Sequence, residues 1–231
     1  MPFSPSLRSS VGKKMIMGLT GLLLVLFLIE HLTGNFLLLL PDKAPYNKYA
    51  HFLTSFGWLL IAAELILLAV FLAHVLSAIS VTLRNRQARP QRYVKTAGAG
   101  PPSRKNLASL TMIYSGVILF VFLAIHLKTF KFGPYYPFHV DGQEMRDLYR
   151  LVAEVFSRPG YVVWYAAAMI LLGFHLRHGF WSAFQSLGLY HPRWTPVIYG
   201  IGIFVAFVLA LGFIGIPIWI YVREVLIKGA P

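Results

Sequence analysis

Four histidines lie deep inside long hydrophobic stretches of this chain, one in each of the first four stretches. His31 and His126 come late in the first and third stretches, and His74 and His175 come late in the second and fourth. Consecutive membrane-spanning helices run in opposite directions. At about 1.5 Å of rise per residue, His31 and His126 therefore both lie roughly 25 Å from the face where their helices begin, and His74 and His175 lie toward that face. The spacing predicts two pairs of imidazoles, one near each membrane face.

Two imidazoles that face each other inside a helical bundle are a suitable ligand set for haem iron. With both axial positions filled, the iron has no open position, which favours electron transfer over oxygen chemistry. The chain has no cysteine, so covalent haem attachment and iron–sulfur ligation are excluded within it. We predict two b-type haems, an outer one held by His31 and His126 and an inner one held by His74 and His175.

Small residues near these histidines would leave room for a flat macrocycle. Gly179 follows His175 by four residues, and residues four apart share one helix face. Ala78 follows His74 in the same way, and Gly21 and Gly34 flank His31. Small residues are also common at contacts between membrane helices, so packing is the alternative explanation.

The composition is that of an integral membrane protein. Of 231 residues, 57% are hydrophobic and 13% are charged, and the mean hydropathy is +0.65; soluble domains carry about 25% charged residues. A spanning helix needs about 20 mostly apolar residues. We predict an all-α membrane protein whose residues 1–231 form one domain of five spanning helices. The predicted spans cover about 15–38, 56–83, 107–130, 160–186 and 196–222.

The net charge of +13 is concentrated on one predicted side of the membrane. Arg8, Lys13 and Lys14 precede the first span, and seven basic residues with no acidic ones lie between the second and third spans. Basic loops stay in the cytoplasm, so the N-terminus is predicted to be cytoplasmic. Contact with anionic lipid accounts for this charge without nucleic acid, and an acidic partner protein is a further option. The seven loop residues are Arg84, Arg86, Arg89, Arg92, Lys95, Arg104 and Lys105.

Further polar residues beside the predicted ligands are candidates for ligand contacts. His178 and Arg177, close to His175, would contact a haem propionate or else simply end the span with polar groups. His51 lies in an outer segment, residues 39–55, in which we predict a short interfacial helix. His51 and Glu30, the latter within span one, are candidates for contact with a quinone headgroup, because carboxylates inside spans are costly and often functional.

Other expectations concern local structure. The outer connection between spans three and four is predicted to contain an amphipathic helix over 143–157. Gly212, Gly215 and Pro217 are predicted to break the fifth span. Glu64, within the second span, has no obvious partner, and we expect it to pair with a hydroxyl or an amide. No segment is found to repeat at a fixed period.

The segments around these residues resemble one known family. The likeness is carried by IEHLTGN, LAHVLSA and AIHLKTF in the first three spans, by YAHFLTS in the outer segment, and by FHLRHGFWSAFQSLG in the fourth span. SSVGKKMIMGLTGLLL at the start of the first span adds to it. Over nearly its whole length the chain resembles the b558-type, five-helix, two-haem cytochrome b that anchors succinate dehydrogenase and fumarate reductase in the membrane.

This resemblance implies a function and a set of partners. It implies that His31 and His126 are axial ligands of the outer haem and that His74 and His175 are those of the inner haem. The family's H-x-x-x-G pattern in the fourth span selects His175 over His178. The chain would anchor a flavoprotein subunit and an iron–sulfur subunit on the cytoplasmic face, and would pass electrons from succinate to a quinone, usually menaquinone. A higher oligomer of the complex is compatible with it.

Two other functions stay open. The cytochrome b anchor of a nitrate reductase or hydrogenase would also hold two haems, but the five-helix nitrate reductase subunit carries ligands on its last helix. The fifth span here has no histidine. A haem-free transporter would be expected to show helix breaks near the midplane and repeat symmetry, and no earlier segment corresponds to the break predicted in the fifth span.

Overall fold

The computed structural model of the chain describes residues 9–88 and 107–229. Most of the basic loop predicted between the second and third spans, together with Arg8, lies outside the described residues. Arg84 and Arg86 are described, and they occupy the exposed last turn of a helix.

Among the described residues, five helices are long and apolar enough to cross a membrane, which confirms the predicted all-α, multi-pass membrane fold. A single-turn 3₁₀ helix extends the first of them, and π-helical turns extend the third and the fifth. Two shorter helices and one β-hairpin lie in the connections. The elements are α1 Ser10–Asn35, α2 Ala44–Ser55, α3 Trp58–Gln87, α4 Leu107–His126, β1 Pro137–Val140, β2 Gln143–Arg146, α5 Leu148–Phe156, α6 Pro159–Ser186 and α7 Thr195–Tyr221.

The boundaries of the helices follow from ordinary capping chemistry. Ser9 accepts a hydrogen bond at its side-chain oxygen from the backbone N–H of Gly12, 3.0 Å away, and so caps α1. Gly57 has a φ of +55°, which lets the chain turn from α2 directly into α3. Pro159 and Pro196 occupy the first turns of α6 and α7, where the missing N–H has no helical partner to lose.

Four of the long helices form a ring, and the fifth packs outside it. Helix α1 packs against α3 and α6, and α4 packs against α6 and only sparsely against α3. Helices α1 and α4 are therefore diagonally opposite, as are α3 and α6. Helix α7 lies against α6 and α1. We call the end of the ring that carries α2, the hairpin and α5 the outer end, and the opposite end the inner end.

The fifth span is continuous, so the prediction that it is broken is wrong. Helix α7 runs through Gly212, Gly215 and Pro217. A Cβ at Gly212 would lie 2.6 Å from the Leu32 side chain, which shows that this glycine lets α7 pack closely on α1. Pro217 is buried inside the helix, where neighbouring helices make proline tolerable in membrane proteins.

The outer connection differs from the predicted helix over 143–157. Residues Gln143–Arg146 form the second strand of a hairpin, and only Leu148–Phe156 is helical. Asp141 and Gly142 both have positive φ, at 52° and 75°, and an Asp-Gly pair of this kind forms the tight turn that joins two antiparallel strands. The interfacial helix predicted within 39–55 is present as α2.

A buried polar cluster joins α2 to α5 at the outer end. The Asn47 side chain is fully buried and donates a hydrogen bond to Asp147 over 2.8 Å. Lys43 pairs with the same carboxylate at 2.6 Å, and Asp147 also accepts the backbone N–H of Arg150 to cap α5. Burial alone would raise the pKa of Asp147, but the hydrogen bonds from Lys43, Asn47 and Arg150 outweigh it and hold the pKa below its ordinary value.

We expect Asp147→Ala to destabilise the outer end by about 1–3 kcal/mol, because it leaves the buried Asn47 amide without its acceptor. The matched control is Asp141→Asn, which removes the charge of an exposed ion pair with Lys48, suits the positive φ of the turn, and should cost at most about 1 kcal/mol. Because the folded pKa of Asp147 is lowered, its stabilisation is present above the ordinary carboxyl pKa and is lost as the pH falls through the folded value. Thermal unfolding in detergent at neutral and acidic pH measures both effects. If the two variants lost the same amount of stability, the buried hydrogen bond of Asp147 with Asn47 would not be the stabilising contact.

Candidate functional site: two imidazole pairs in the helical ring

The outer pair consists of His31 in α1 and His126 at the end of α4. Their ring centres lie 5.8 Å apart, with the ring planes at 84° to each other. Because α1 and α4 are diagonally opposite, the two imidazoles meet across the interior of the ring. His31 is held by ring contacts with Phe27 at 5.3 Å and Phe213 at 5.8 Å.

The inner pair consists of His74 in α3 and His175 in α6, on the other diagonal. Their ring centres lie 6.4 Å apart, with the planes at 61°. A metal ion bound to two imidazole nitrogens at about 2.0 Å each would put the ring centres on the order of 6 Å apart. The structure thus brings together the four histidines in the two pairs that the spacing predicts, each at a separation that a single metal ion can bridge.

Three of the four imidazoles are supported in a common way, through a contact at Nδ1. His175 Nδ1 lies 3.1 Å from the Ser115 hydroxyl oxygen, and His74 Nδ1 lies 3.1 Å from the carbonyl oxygen of Met17. His126 Nδ1 lies 3.3 Å from the Tyr165 hydroxyl. In each case a neighbouring helix engages Nδ1, so that Nε2 is the nitrogen left for a ligand. Metal-binding histidines are commonly oriented by a second hydrogen bond of this kind.

The outer pair is lined by aromatic rings. The ring of His126 lies 5.8 Å from Phe122 and 5.3 Å from Phe130, and Tyr165 lies 5.0 Å from Phe156. These rings surround His126 with apolar surface. The inner pair instead has hydroxyl groups nearby, because Ser115 and Ser77 are buried in the ring.

Glycines create space beside the inner pair. A Cβ added to Gly21 would lie 3.3 Å from His74 Cε1, and one added to Gly116 would lie 3.7 Å from His175 Cε1. No atom lies within 4 Å of a Cβ added to Gly179. The expectation that Gly21 flanks His31 is therefore wrong, because the helix rotation turns Gly21 toward His74.

Gly34 also has a different neighbour from the one expected. A Cβ at Gly34 would lie 2.5 Å from the ring of Tyr49 in α2, so the glycine admits Tyr49 rather than opening space beside His31. The Tyr49 hydroxyl donates to the exposed Glu30 carboxylate at 3.0 Å. Burial and this hydrogen bond raise the pKa of Tyr49.

The candidates for a quinone site do not converge. His51 lines a shallow outer cavity of about 410 Å³ together with Lys48, Phe52 and Asp141. Glu30 is not part of the lining of that cavity. The structure brings Glu30 to Tyr49 and leaves His51 between α2 and the hairpin.

Glu64 and His178 have distinct surroundings. Glu64 pairs with Lys131 across the sparse contact between α3 and α4, so the expectation of a hydroxyl or amide partner is wrong. His178 Nδ1 is buried, with no hydrogen-bond partner among the described residues. Arg177 is exposed at the inner half of α6.

Sequence reasoning missed Met17, Ser115 and Tyr165, the groups that engage Nδ1. Within residues 9–88 and 107–229, no group of three or more His, Asp or Glu side chains is placed to hold a metal ion; the histidines come together in twos. Comparison of the chain with protein-family models, with curated proteins and with solved structures finds no match.

Proposed function

We propose that this chain is the dihaem cytochrome b membrane-anchor subunit of a succinate:quinone oxidoreductase. The observation that supports this most directly is the presence of two imidazole pairs on the two diagonals of one helical ring, with ring centres 5.8 and 6.4 Å apart. The sequence resemblance to the b558-type anchors supports the choice of complex. The proposed location is the cytoplasmic membrane of a prokaryote.

The residues present fit haem b. His31 and His126 would hold the outer group and His74 and His175 the inner one, while the space beside Gly179 accommodates a macrocycle near His175. A bis-imidazole haem supplies one-electron chemistry at a closed coordination sphere. The chain's own contribution is to present the imidazoles in pairs and to surround the outer pair with aromatic rings.

The two sites are well separated along the membrane normal. On α1, Gly21 lies beside the inner pair and His31 belongs to the outer pair. On α4, Gly116 lies beside the inner pair and His126 belongs to the outer pair. Ten residues separate the two levels on each helix, which corresponds to about 15 Å. A stack of two carriers at this separation would connect the inner end of the ring with the outer end.

The partners follow from this orientation as part of the proposal. The inner end carries exposed Arg84 and Arg86 at the end of α3, and the flavoprotein and iron–sulfur subunits would dock there. A quinone, by analogy with the family menaquinone, would react at one of the two levels. Glu30 with Tyr49 and the cavity at His51 are separate candidates for its headgroup, and His178 and Arg177 remain candidates for contacts with the propionates of the inner haem.

A reduced-minus-oxidised spectrum of the purified complex, with a haem count per chain, tests the proposal. We expect two b haems per chain, partly reduced by succinate. The matched control is the double variant His126→Ala, His175→Ala, which removes one imidazole from each pair and should bind no low-spin haem. Two haems that succinate does not reduce would assign the chain to another respiratory complex. Absence of haem from the unaltered chain would reject the proposal.

A further inference from the structure

A short pattern occurs in both α1 and α4. A hydroxyl residue and a glycine stand next to each other, and a histidine follows the glycine by ten residues: Thr20-Gly21 precedes His31, and Ser115-Gly116 precedes His126. It is not a repeat at a fixed period, because it occurs twice and only three positions in each helix carry it.

The structure gives the two hydroxyl residues equivalent places. Ser115 of α4 lies against His175 of α6 at 3.1 Å, and Thr20 of α1 lies against His74 of α3 at 3.4 Å. Each hydroxyl therefore faces an inner histidine on a neighbouring helix. The adjacent glycine lets that imidazole approach the backbone. In the pairs α1–α3 and α4–α6, the first helix thus contacts the inner histidine of the second helix in a similar way.

The proton of each hydroxyl is already used within its own helix. Ser115 donates to the carbonyl oxygen of Met112 over 3.0 Å, and Thr20 donates to that of Ile16 over 2.6 Å. A hydroxyl has one proton and two lone pairs. Toward the imidazoles, Ser115 and Thr20 can therefore act only as acceptors.

These bonds indicate which nitrogen of each inner histidine carries a proton. A carbonyl only accepts, so His74 Nδ1 donates to Met17 over 3.1 Å and also points toward Thr20. When the Ser115 proton is given to Met112, His175 Nδ1 is the donor to Ser115. In neutral imidazole the other nitrogen then has a free lone pair. Both inner histidines are held as the tautomer in which Nε2 is the ligand atom.

We propose that Ser115 and Thr20 are positioning residues of the inner site, which fix the Nδ1–H tautomer of His175 and His74 and raise the basicity of both as axial ligands. The proposal rests on the proposed haem ligation. A more basic imidazole favours ferric over ferrous iron, because it donates more charge to the metal. Loss of the acceptor should therefore raise the reduction potential of the inner site only.

The test is a potentiometric titration of the purified complex carrying Ser115→Ala. Both haems should remain, and the preference of the inner site for ferric iron should weaken about tenfold, which for a one-electron couple is an upward shift of about 59 mV. Thr20→Val should shift the same site less, because His74 keeps the Met17 carbonyl. Ser115→Thr, which restores an acceptor, should return the potential to that of the unaltered chain.

Tyr165→Phe is the matched control, because Tyr165 lies at His126 and should affect only the outer site. The ferric electron paramagnetic resonance signal, which is sensitive to the angle between the two ligand planes, gives a second readout. An unchanged potential and signal in Ser115→Ala would overturn the proposal, as would equal shifts of both sites. If Ser115→Ala fails to assemble, Ser115→Cys, a weak acceptor of similar size, should give an upward shift, and no shift would overturn the proposal. Absence of haem in the unaltered chain would instead reject the proposed function.

Discussion

His31→Ala is expected to remove one of the two proposed b haems and to leave the other spectrally intact. His31 has a single imidazole partner, His126, at 5.8 Å, and the inner pair is about 15 Å away along the helices. With His31 removed, the proposed outer site would keep His126 alone, and the neighbouring Phe122 and Phe130 rings offer no replacement ligand. Haem content per chain and low-temperature difference spectra measure the result.

The pairing of His31 with His126 also predicts the result of substituting the partner histidine. His126→Ala should remove the same haem as His31→Ala, and the double variant should look like either single variant, because both substitutions destroy one site. The control is His139→Ala, which alters an exposed hairpin histidine whose partner is Glu144 at 3.4 Å. If His31→Ala and His126→Ala removed different haems, the diagonal pairs would not be the ligand pairs.

The second large effect is expected at the inner site, where two histidines lie three residues apart on α6. His175→Ala should abolish the inner haem, because the His175 ring faces His74 at 6.4 Å and is held by Ser115. His178→Ala should keep both haems, because the His178 ring has no such partner among the described residues. Separate spectra of the two variants decide between them.

The same comparison has an internal check. The outer haem should be unchanged in both variants, because its ligands lie about 15 Å away on α1 and α4. Loss of a haem in His178→Ala but not in His175→Ala would show that His178, and not His175, is the ligand. Loss of both haems in His175→Ala would indicate that the ring collapses as a unit rather than holding two independent sites.

The pairing of the histidines could be predicted from the sequence because it depends only on helix rise and direction. A fixed rise of about 1.5 Å per residue converts position along a span into depth, and His31 and His126 meet as the count requires. The rotation of each helix does not follow from depth. For this reason Gly21 was assigned to His31, whereas it faces His74.

Contacts that depend on neighbours distant in sequence were also missed. The partner of Glu64 is Lys131, 67 residues away, and no local pattern predicts it. The hairpin, by contrast, could have been predicted from the Asp141-Gly142 pair, which favours a tight turn between two strands. The prediction of a helix over 143–157 did not take this pair into account. The Ser115 and Thr20 contacts had a signal as well, but only their geometry shows that two such short matches are equivalent.

The sparse contact between α3 and α4 bears on how a large planar group could be loaded into a finished ring. Such a group is wider than the space between packed helices, so two neighbours must part to admit it. Of the neighbouring helices in the ring, α3 and α4 make the sparsest contact, so their separation breaks the fewest interactions. The described contacts between their side chains include one ring contact, Phe71 with Phe120 at 5.9 Å, and the ion pair of Glu64 with Lys131. Such a group would then enter laterally between α3 and α4, and the ion pair of Glu64 with Lys131 would close the gap behind it.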